Sequence, residues 1–163
     1  MDLKDYIRSI KDYPKKGILF RDITTLIKNE TAFEESINQI VERSKKFKVD
    51  KIAAIESRGF VFASAVSYIL KKPFIMLRKK NKLPADVHSV DFQLEYGTAT
   101  IEVHKDSISE NDSVLIIDDL IATGGTAEAA AKLIEISKGK VAAFIFVINL
   151  FDLGAVSYTH LRA

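Results

Sequence analysis

The chain has 163 residues, of which 47% are apolar and 28% charged, and these values are typical of a globular domain with one hydrophobic core. Its net charge of +2, from 24 basic and 22 acidic residues, is too small to predict binding to nucleic acid or to a membrane. The lack of cysteine excludes disulfides and thiolate chemistry. With no signal peptide or membrane-spanning run predicted, we expect one cytoplasmic domain over residues 1–163.

The predicted elements alternate between helices and strands along most of the chain. Residues 2–12 have the spacing of a short amphipathic helix, and Pro14 and Gly17 then interrupt it. The pattern from Thr31 to Glu34 is a capping box, which predicts the start of a second helix. The next elements are strand 51–57, helix 60–71, strand 73–78, strand 114–118, a helix over 126–140 that Gly139 closes, and strand 141–149. This alternation predicts a parallel sheet covered by helices on both faces.

Residues 79–110 interrupt this rhythm. The segment is polar, and Thr98, Thr100 and Glu102 alternate with apolar residues. Such alternation predicts a pair of antiparallel strands with a mobile loop, outside the main sheet. Because long excursions from a compact sheet often cover a binding site, we interpret 79–110 as a flexible lid.

The segment VLIIDDLIATGGT, residues 114–126, carries the chemistry that the sequence shows most clearly. An apolar strand runs into Asp118 and Asp119, at the sheet edge where open parallel sheets bind ligands. Two adjacent carboxylates repel each other and need hydroxyl groups, amides or a cation beside them. The loop 122–126 adds glycines, the hydroxyls of Thr123 and Thr126, and the start of a helix, all of which favour an anion.

A sugar phosphate satisfies both halves of this segment, with its phosphate in the loop and its hydroxyls on the aspartates. The segment lacks the Gly-Lys-Ser/Thr ending of a P-loop and the G-x-G-x-x-G of dinucleotide-binding folds. The alternative is a strand followed by a polar turn and a capped helix, without a ligand.

Residues 114–126 resemble the phosphoribosyl-pyrophosphate signature of the type I phosphoribosyltransferases. Further segments resemble the adenine phosphoribosyltransferase family, namely GILFRDIT (17–24), AAIESRGFVFASAVSYIL (53–70), LRKKNKLP (77–84) and LEYGTATIEVHKDSI (94–108). The resemblance covers about residues 5–154 and implies the type I fold, an α/β fold with a mostly parallel sheet, flanking helices and a small flexible hood. The tail 156–163, VSYTHLRA, does not resemble the ending usual in that family.

The resemblance also implies a role for particular residues. Those expected to bind phosphoribosyl pyrophosphate are Ala122, Thr123, Gly124, Gly125 and Thr126 at the 5-phosphate, and Arg58, Arg78, Lys79 and Lys82 at the pyrophosphate. Those expected to be catalytic are Asp118 and Asp119 on the ribose hydroxyls and Glu95 near the reacting base. Those expected to bind the base are the main chain of Leu19 and Arg21, with Phe20 and Leu120 or Ile121 as apolar walls. Lys80 matches no ligand of the family and is interpreted as a surface residue.

The implied reaction transfers ribose 5-phosphate from phosphoribosyl pyrophosphate to N9 of adenine, giving AMP and pyrophosphate. The implied cofactor is Mg²⁺, held mainly by the substrate with no direct protein ligand, and the implied assembly is a homodimer without nucleic acid or membrane partners. Three alternatives stay open: a transferase for xanthine, hypoxanthine or orotate, a non-catalytic regulator that senses a purine or the sugar phosphate, and a simple sugar-phosphate binding module.

Overall fold

The computed structural model describes residues 1–94, 97–121 and 124–149, without the side chains of Ile121 and Asn149. The chain divides into two compact units, Met1–Arg43 and Ser44–Ala163. Within the described residues, no helix has the length and apolar character needed to cross a bilayer. The single domain expected over 1–163 stays a prediction.

The first unit contains a small antiparallel sheet rather than the amphipathic helix predicted over residues 2–12. Its elements are a 3₁₀ helix at Leu3–Tyr6, β1 at Arg8–Lys11, β2 at Leu19–Asp22, α1 at Thr24–Ile27 and most of α2 at Glu30–Ser44. The strand β1 pairs with β2, and Arg8 lies opposite Asp22. The Arg8 guanidinium donates from Nε and Nη2 to Asp22 Oδ2 at 3.0 Å and 2.5 Å. The helical prediction was wrong because this pairing joins residues distant in sequence.

The helix α2 begins one residue before the predicted capping box. The side chain of Asn29 accepts a hydrogen bond from the Ala32 amide at 2.9 Å, so Asn29 satisfies a free amide of the first turn. The helix was predicted correctly, but the prediction that Thr31 caps it was wrong.

The second unit is built on a six-stranded sheet. Its elements are β3 at Lys51–Ile55, α3 at Arg58–Leu70, β4 at Phe74–Lys79, β5 at Val87–Gln93, β6 at Thr98–His104, β7 at Ser113–Ile121, α4 at Gly125–Ile136 and β8 at Lys140–Asn149. The strand order is β5-β6-β4-β3-β7-β8, and the four strands β4, β3, β7 and β8 are parallel. The predicted α/β fold with a mostly parallel sheet is confirmed.

The core of this unit lies between the sheet and α4. The helix contributes a row of alanines with Leu133 and Ile134, and the sheet contributes branched residues such as Ile116 and Leu77. Small side chains on α4 allow the helix to approach the strands closely. On the central strands the alternate residues, for example Ile52 and Ile117, are also fully buried, as expected for a parallel sheet covered on both faces.

The hairpin β5–β6 extends the main sheet instead of lying outside it. The predicted antiparallel pair is confirmed, with Val90 opposite Ile101. However, β6 also pairs antiparallel with β4, and Arg78 lies opposite Glu102. This contact attaches the segment 79–110 to the edge of the parallel strands, so the predicted separation from the sheet was wrong.

Two predicted boundaries also differ. The strand β7 does not end at Asp118 but continues to Ile121, paired with β8 throughout. The helix α4 ends at Ile136, and Lys138 rather than Gly139 adopts the left-handed conformation, with φ of 68°. Gly139 is needed for close packing, because a Cβ there would lie 2.9 Å from Cγ2 of Ile108.

Candidate active site

The carboxyl ends of β3 and β4 meet the start of α4 around one cavity in the second unit. The cavity has a volume of about 600 Å³. Its polar lining includes Glu56, Lys79, Lys80, Lys82, Thr100 and Thr126. These residues come from four separate segments, and a positively charged cavity at this edge of a parallel sheet suits an anionic ligand.

The two aspartates lie where β7 extends past its neighbour β3. The last residue pair between these strands is Ala54 with Ile117, so Asp118 is level with Ile55, the last residue of β3, and Asp119 lies beyond the end of that strand. Asp119 is only 6% exposed, and its Oδ2 lies 2.9 Å from Nε of Arg58. Its backbone amide donates to Oδ1 of Asp118 at 2.8 Å. The predicted carboxylate pair is therefore assembled, together with one of the predicted phosphate-binding arginines.

The pair does not carry two full charges at neutral pH. Burial is the main cause that raises the pKa of Asp118 to about 8, and a side-chain hydrogen bond with Asp119 and the charge of Asp119 act in the same direction. The backbone amide of Asp119 and the charge of Arg58 act in the opposite direction but do not outweigh them. Folding therefore favours one proton on the carboxylate pair, and Arg58 lies next to the remaining negative charge.

Gly59 allows α3 to begin directly against β7. A Cβ atom at this position would lie 2.8 Å from Oδ1 of Asp118 and 3.2 Å from the backbone oxygen of Ile117. Both distances are shorter than an ordinary van der Waals contact. The helix can thus place Arg58, its first residue, next to Asp119 because residue 59 has no side chain.

A basic turn, defined here as residues Lys79–Lys82, follows β4 and lines the cavity. The Lys82 amide donates to the Lys79 carbonyl at 3.3 Å, and Asn81 has a φ of 67°. Lys79 and Lys82, both expected to bind pyrophosphate, line the cavity. Lys80 is exposed, as its interpretation as a surface residue requires, but it lines the cavity as well. The cavity wall therefore carries three lysines from one turn.

Arg78 does not line this cavity. Its Nε lies 3.5 Å from Oε1 of Glu56, close enough for an ion pair but without the geometry of a hydrogen bond. The same oxygen of Glu56 accepts the Lys79 amide at 2.6 Å. Glu56 therefore connects the end of β3 to the start of the basic turn.

The loop before α4 adopts the conformation that its glycines allow. Gly124 has a φ of 92°, in the left-handed region, and α4 begins at Gly125. Thr126, in the first turn, lines the cavity. Ala122 and Thr123 lie outside the described residues, as does Glu95.

The residues expected to bind the base lie in two different elements. Leu19, Phe20 and Arg21 belong to β2 of the first unit, where the Phe20 ring packs edge-on against Tyr13 with centroids 5.1 Å apart. Arg21 donates from Nη1 to the Ser9 hydroxyl at 2.5 Å, and Leu19 is 46% exposed. Leu120 lies on β7 of the second unit, paired with Ile148.

Comparison with known proteins decides the family. Residues 22–153 match the model of the phosphoribosyl transferase domain. The adenine phosphoribosyltransferase of Pelagibacter ubique (strain HTCC1062) is 84% identical over 154 residues, which are 94% of this chain and 88% of that relative. This chain belongs to the adenine phosphoribosyltransferase family.

Solved structures of the adenine phosphoribosyltransferase family have the same fold. The enzyme from Thermoanaerobacter pseudethanolicus ATCC 33223 superposes with a TM-score of 0.92 at 45% identity, over 95% of this chain and 90% of that one. The enzyme from Saccharomyces cerevisiae, solved with D-2,5-dideoxy-2,5-imino-altritol 1,6-bisphosphate and adenine, gives 0.93 at 32% identity, over 99% and 95%. The predicted type I phosphoribosyltransferase fold is confirmed.

Two carboxylates near the cavity, Glu56 and Glu102, were not singled out from the sequence. Glu56 directly follows the apolar strand β3, and a carboxylate at the end of a buried strand could have been singled out as Asp118 was. Glu102 lies in an alternating strand, where a glutamate is usually exposed, yet it is 6% exposed. Nothing in the sequence distinguishes it from the other glutamates.

Proposed function

We propose that the chain is an adenine phosphoribosyltransferase, which transfers ribose 5-phosphate from phosphoribosyl pyrophosphate to N9 of adenine and releases pyrophosphate. The observation that carries this proposal is the 84% identity to a relative of that name. The cationic cavity at the ends of β3 and β4 and the carboxylate pair on the adjacent strand β7 support it, because the reaction needs both a polyanion site and a site for sugar hydroxyls.

The pyrophosphate is assigned to the basic turn. Lys79, Lys80 and Lys82 line the cavity, and their charges stabilise the leaving group as its negative charge grows. Arg58 and Arg78 are assigned to the same ligand by family resemblance. In the structure Arg58 is ion-paired with Asp119, and Arg78 is ion-paired with Glu56. To bind pyrophosphate, each guanidinium must either rotate away from its carboxylate or contact the carboxylate and the pyrophosphate at the same time.

The ribose is assigned to Asp118 and Asp119. Carbon 1 becomes cation-like as pyrophosphate leaves, and the two side chains hold the ribose hydroxyls while the charge that remains on the pair lies near that carbon. The 5-phosphate is assigned to residues 122–126, where Gly124, Gly125 and Thr126 lead into the start of α4.

Adenine is assigned to Leu19, Phe20, Arg21 and Leu120. Apolar walls suit the purine faces, and main-chain groups can read the polar edge of the base. Glu95 is assigned to the proton on the base as N9 attacks. Residues 79–110 are assigned to a lid that excludes water from the reacting carbon.

Magnesium is the cofactor that this substrate implies, and the donor set fits it. Among the described residues no group of three or more His, Cys, Asp or Glu side chains is placed to hold a metal ion. Mg²⁺ usually keeps several waters and needs few protein ligands when a substrate supplies phosphate oxygens, so the ion would be held mainly by the substrate, with Asp118 and Asp119 beside it rather than as direct ligands. When bound, the ion would neutralise charge on the leaving pyrophosphate.

One assay tests the proposal. Purified protein is incubated with phosphoribosyl pyrophosphate and adenine, with and without Mg²⁺, and AMP is measured by chromatography. We expect AMP and pyrophosphate in equal amounts, only with Mg²⁺. A panel with hypoxanthine, xanthine and orotate tests the alternative base, and binding without product from any base would instead indicate a regulator or a binding module.

Replacement of both aspartates tests the ribose assignment. Because the paired carboxylates hold the sugar, the double variant Asp118→Asn, Asp119→Asn is expected to lose at least about 10²-fold in turnover, as expected when positioned charge near a reacting centre is removed. Circular dichroism should show a folded protein. Turnover within a few-fold of the original would reject the assignment.

A homodimer in the cytoplasm completes the proposal. Each chain has a mass of 18.2 kDa, so sedimentation equilibrium should give about twice that value. A monomer at micromolar concentration would contradict the expected assembly without affecting the assigned reaction.

A further inference from the structure

We propose that Glu102 is a positioning residue for pyrophosphate binding, because it fixes the backbone of the basic turn from the hairpin side. The inference rests on the function proposed above. It concerns a residue that touches none of the substrate groups assigned there, and whose effect is exerted through the turn.

The contacts of Glu102 lead directly to the turn. Its Oε1 accepts the Asn81 amide at 2.9 Å, in the middle of the turn between Lys80 and Lys82. Its Oε2 accepts the Ser89 hydroxyl at 2.7 Å. One carboxylate on β6 thus joins the turn to β5, and both of its oxygens have a partner.

The electrostatics of Glu102 agree with this arrangement. The residue is 6% exposed, which by itself would favour a neutral carboxyl. Instead the Ser89 hydroxyl and then the Asn81 amide, assisted by the charge of Lys80, hold the pKa of Glu102 below its usual value. Glu102 is therefore a charged acceptor at neutral pH, and hydrogen bonds to charged groups are the stronger ones.

The turn needs such an anchor because its own bonding is weak. Its internal hydrogen bond from Lys82 to Lys79 is 3.3 Å long, and the backbone of Asn81 has the left-handed conformation that glycine adopts more easily. At the opposite side, Glu56 accepts the Lys79 amide at 2.6 Å. Two carboxylates therefore hold alternate amides of one turn whose lysines Lys79, Lys80 and Lys82 line the cavity.

The basic turn is mostly charge and would otherwise be mobile. Three like charges in four residues repel one another, and a flexible turn must lose conformational freedom before it can bind a polyanion. A turn already fixed by Glu102 binds pyrophosphate without that loss. The 5-phosphate site before α4 does not depend on this turn, so its affinity should be independent of Glu102.

Equilibrium dialysis separates the two sites. Labelled pyrophosphate with Mg²⁺ and labelled ribose 5-phosphate are each titrated against the original protein and its variants. In Glu102→Ala the Asn81 amide loses its buried acceptor, so we expect the affinity for pyrophosphate to fall about tenfold. The affinity for ribose 5-phosphate should change less than about twofold, since that ligand does not contact the turn.

Conservative and control variants make the test specific. Glu102→Gln keeps an oxygen for Asn81 and should restore pyrophosphate affinity to within about threefold. Asp112→Ala is the matched control: Asp112 also accepts a backbone amide, that of Ser109 at 2.7 Å, but has no part in the turn or the cavity lining. Its affinities for both ligands should be unchanged.

Several outcomes would overturn the inference. These are unchanged pyrophosphate binding in Glu102→Ala, equal weakening of both ligands, or a Gln variant as weak as the Ala variant. If melting shows that Glu102→Ala is unfolded, Glu102→Asp takes its place, since the shorter side chain cannot reach both partners. Full affinity in that variant overturns the inference. If the original protein makes AMP and the Glu102 variants bind pyrophosphate normally, only the inference about Glu102 is rejected. If the original protein binds no pyrophosphate, the inference and the proposed function are both rejected.

Discussion

At the scale of single residues, Asp118 is a group that the fold holds at a cost. Its pKa is raised, so the folded protein binds a proton that the unfolded chain releases near pH 4. The stability associated with this proton is complete below about pH 4 and is lost as the pH rises toward about 8. A residue that lowers stability at working pH is expected at a functional site.

The first prediction concerns this pH dependence. Asp118→Asn keeps the shape and the acceptor but cannot ionise, so its melting temperature should exceed that of the original protein by an amount that grows from pH 5 to pH 8. In a protein of this size 1 kcal/mol corresponds to about 2–4 °C. Differential scanning calorimetry at several pH values measures the difference.

Asp22→Asn serves as the control of opposite sign. Hydrogen bonds from Thr24 and then from Arg8 hold the pKa of Asp22 at about 2, so its contribution is present above pH 4 and is lost only as the pH falls toward 2. The Asp22→Asn variant should therefore be less stable than the original protein by an even amount from pH 5 to pH 8. A flat difference for Asp118→Asn would contradict the raised pKa.

A second prediction concerns Glu95, which lies outside the described residues. If this carboxylate handles the proton of the base only as the bond forms, Glu95→Ala should lower kcat by about 10²-fold or more while KM for both substrates changes little. Steady-state kinetics measure the two constants. A raised KM with normal kcat would assign Glu95 to ground-state binding instead.

At the scale of elements, α3 packs closely on β7 at Asp118, one of the two residues proposed to hold the ribose. Gly59→Ala introduces a methyl group against Oδ1 of Asp118 and the backbone of Ile117, so either the helix or the aspartate must move. We expect a loss of about 1–3 kcal/mol in stability and, in addition, a large fall in turnover. Chemical denaturation and steady-state kinetics measure the two effects.

Gly139→Ala is the matched control for that prediction. It also forces a methyl group into a tight contact, with Cγ2 of Ile108 and of Ile134, but lies away from the cavity lining. It should lose comparable stability and keep normal turnover in the folded protein. Equal turnover in the two variants would show that α3 does not set the position of Asp118.

The elements that could be predicted from sequence are those with local signals. Apolar runs predicted the parallel strands, and an alanine-rich stretch predicted α4. The strand β1 could not be predicted from local signals, because its apolar spacing also fits a helix. What makes it a strand is its pairing with β2, whose residues lie 8 to 14 positions further along the sequence. The attachment of β6 to β4 was missed for the same reason, since register across a long connection has no local signal.

At the scale of the whole molecule, the cavity is formed by short segments that topology brings together. Glu56, Lys79, Thr100 and Thr126 are far apart in the sequence and meet at one sheet edge. The carboxyl ends of parallel strands could be predicted to meet there, so the aspartates and lysines could be named as candidates from the sequence. Glu56 and Glu102 were not, because their function depends on which backbone amides they face in the folded protein.

The buried proton on Asp118 has one further consequence. A ribose hydroxyl or a cation placed beside this carboxyl favours its ionised form, so ligand capture at pH 7 should expel a proton into the surrounding buffer. The heat of titration with ribose 5-phosphate and Mg²⁺ should then depend on the ionisation enthalpy of the buffer, and this dependence should vanish in Asp118→Asn. Occupancy of the sugar site is thereby coupled to solution acidity.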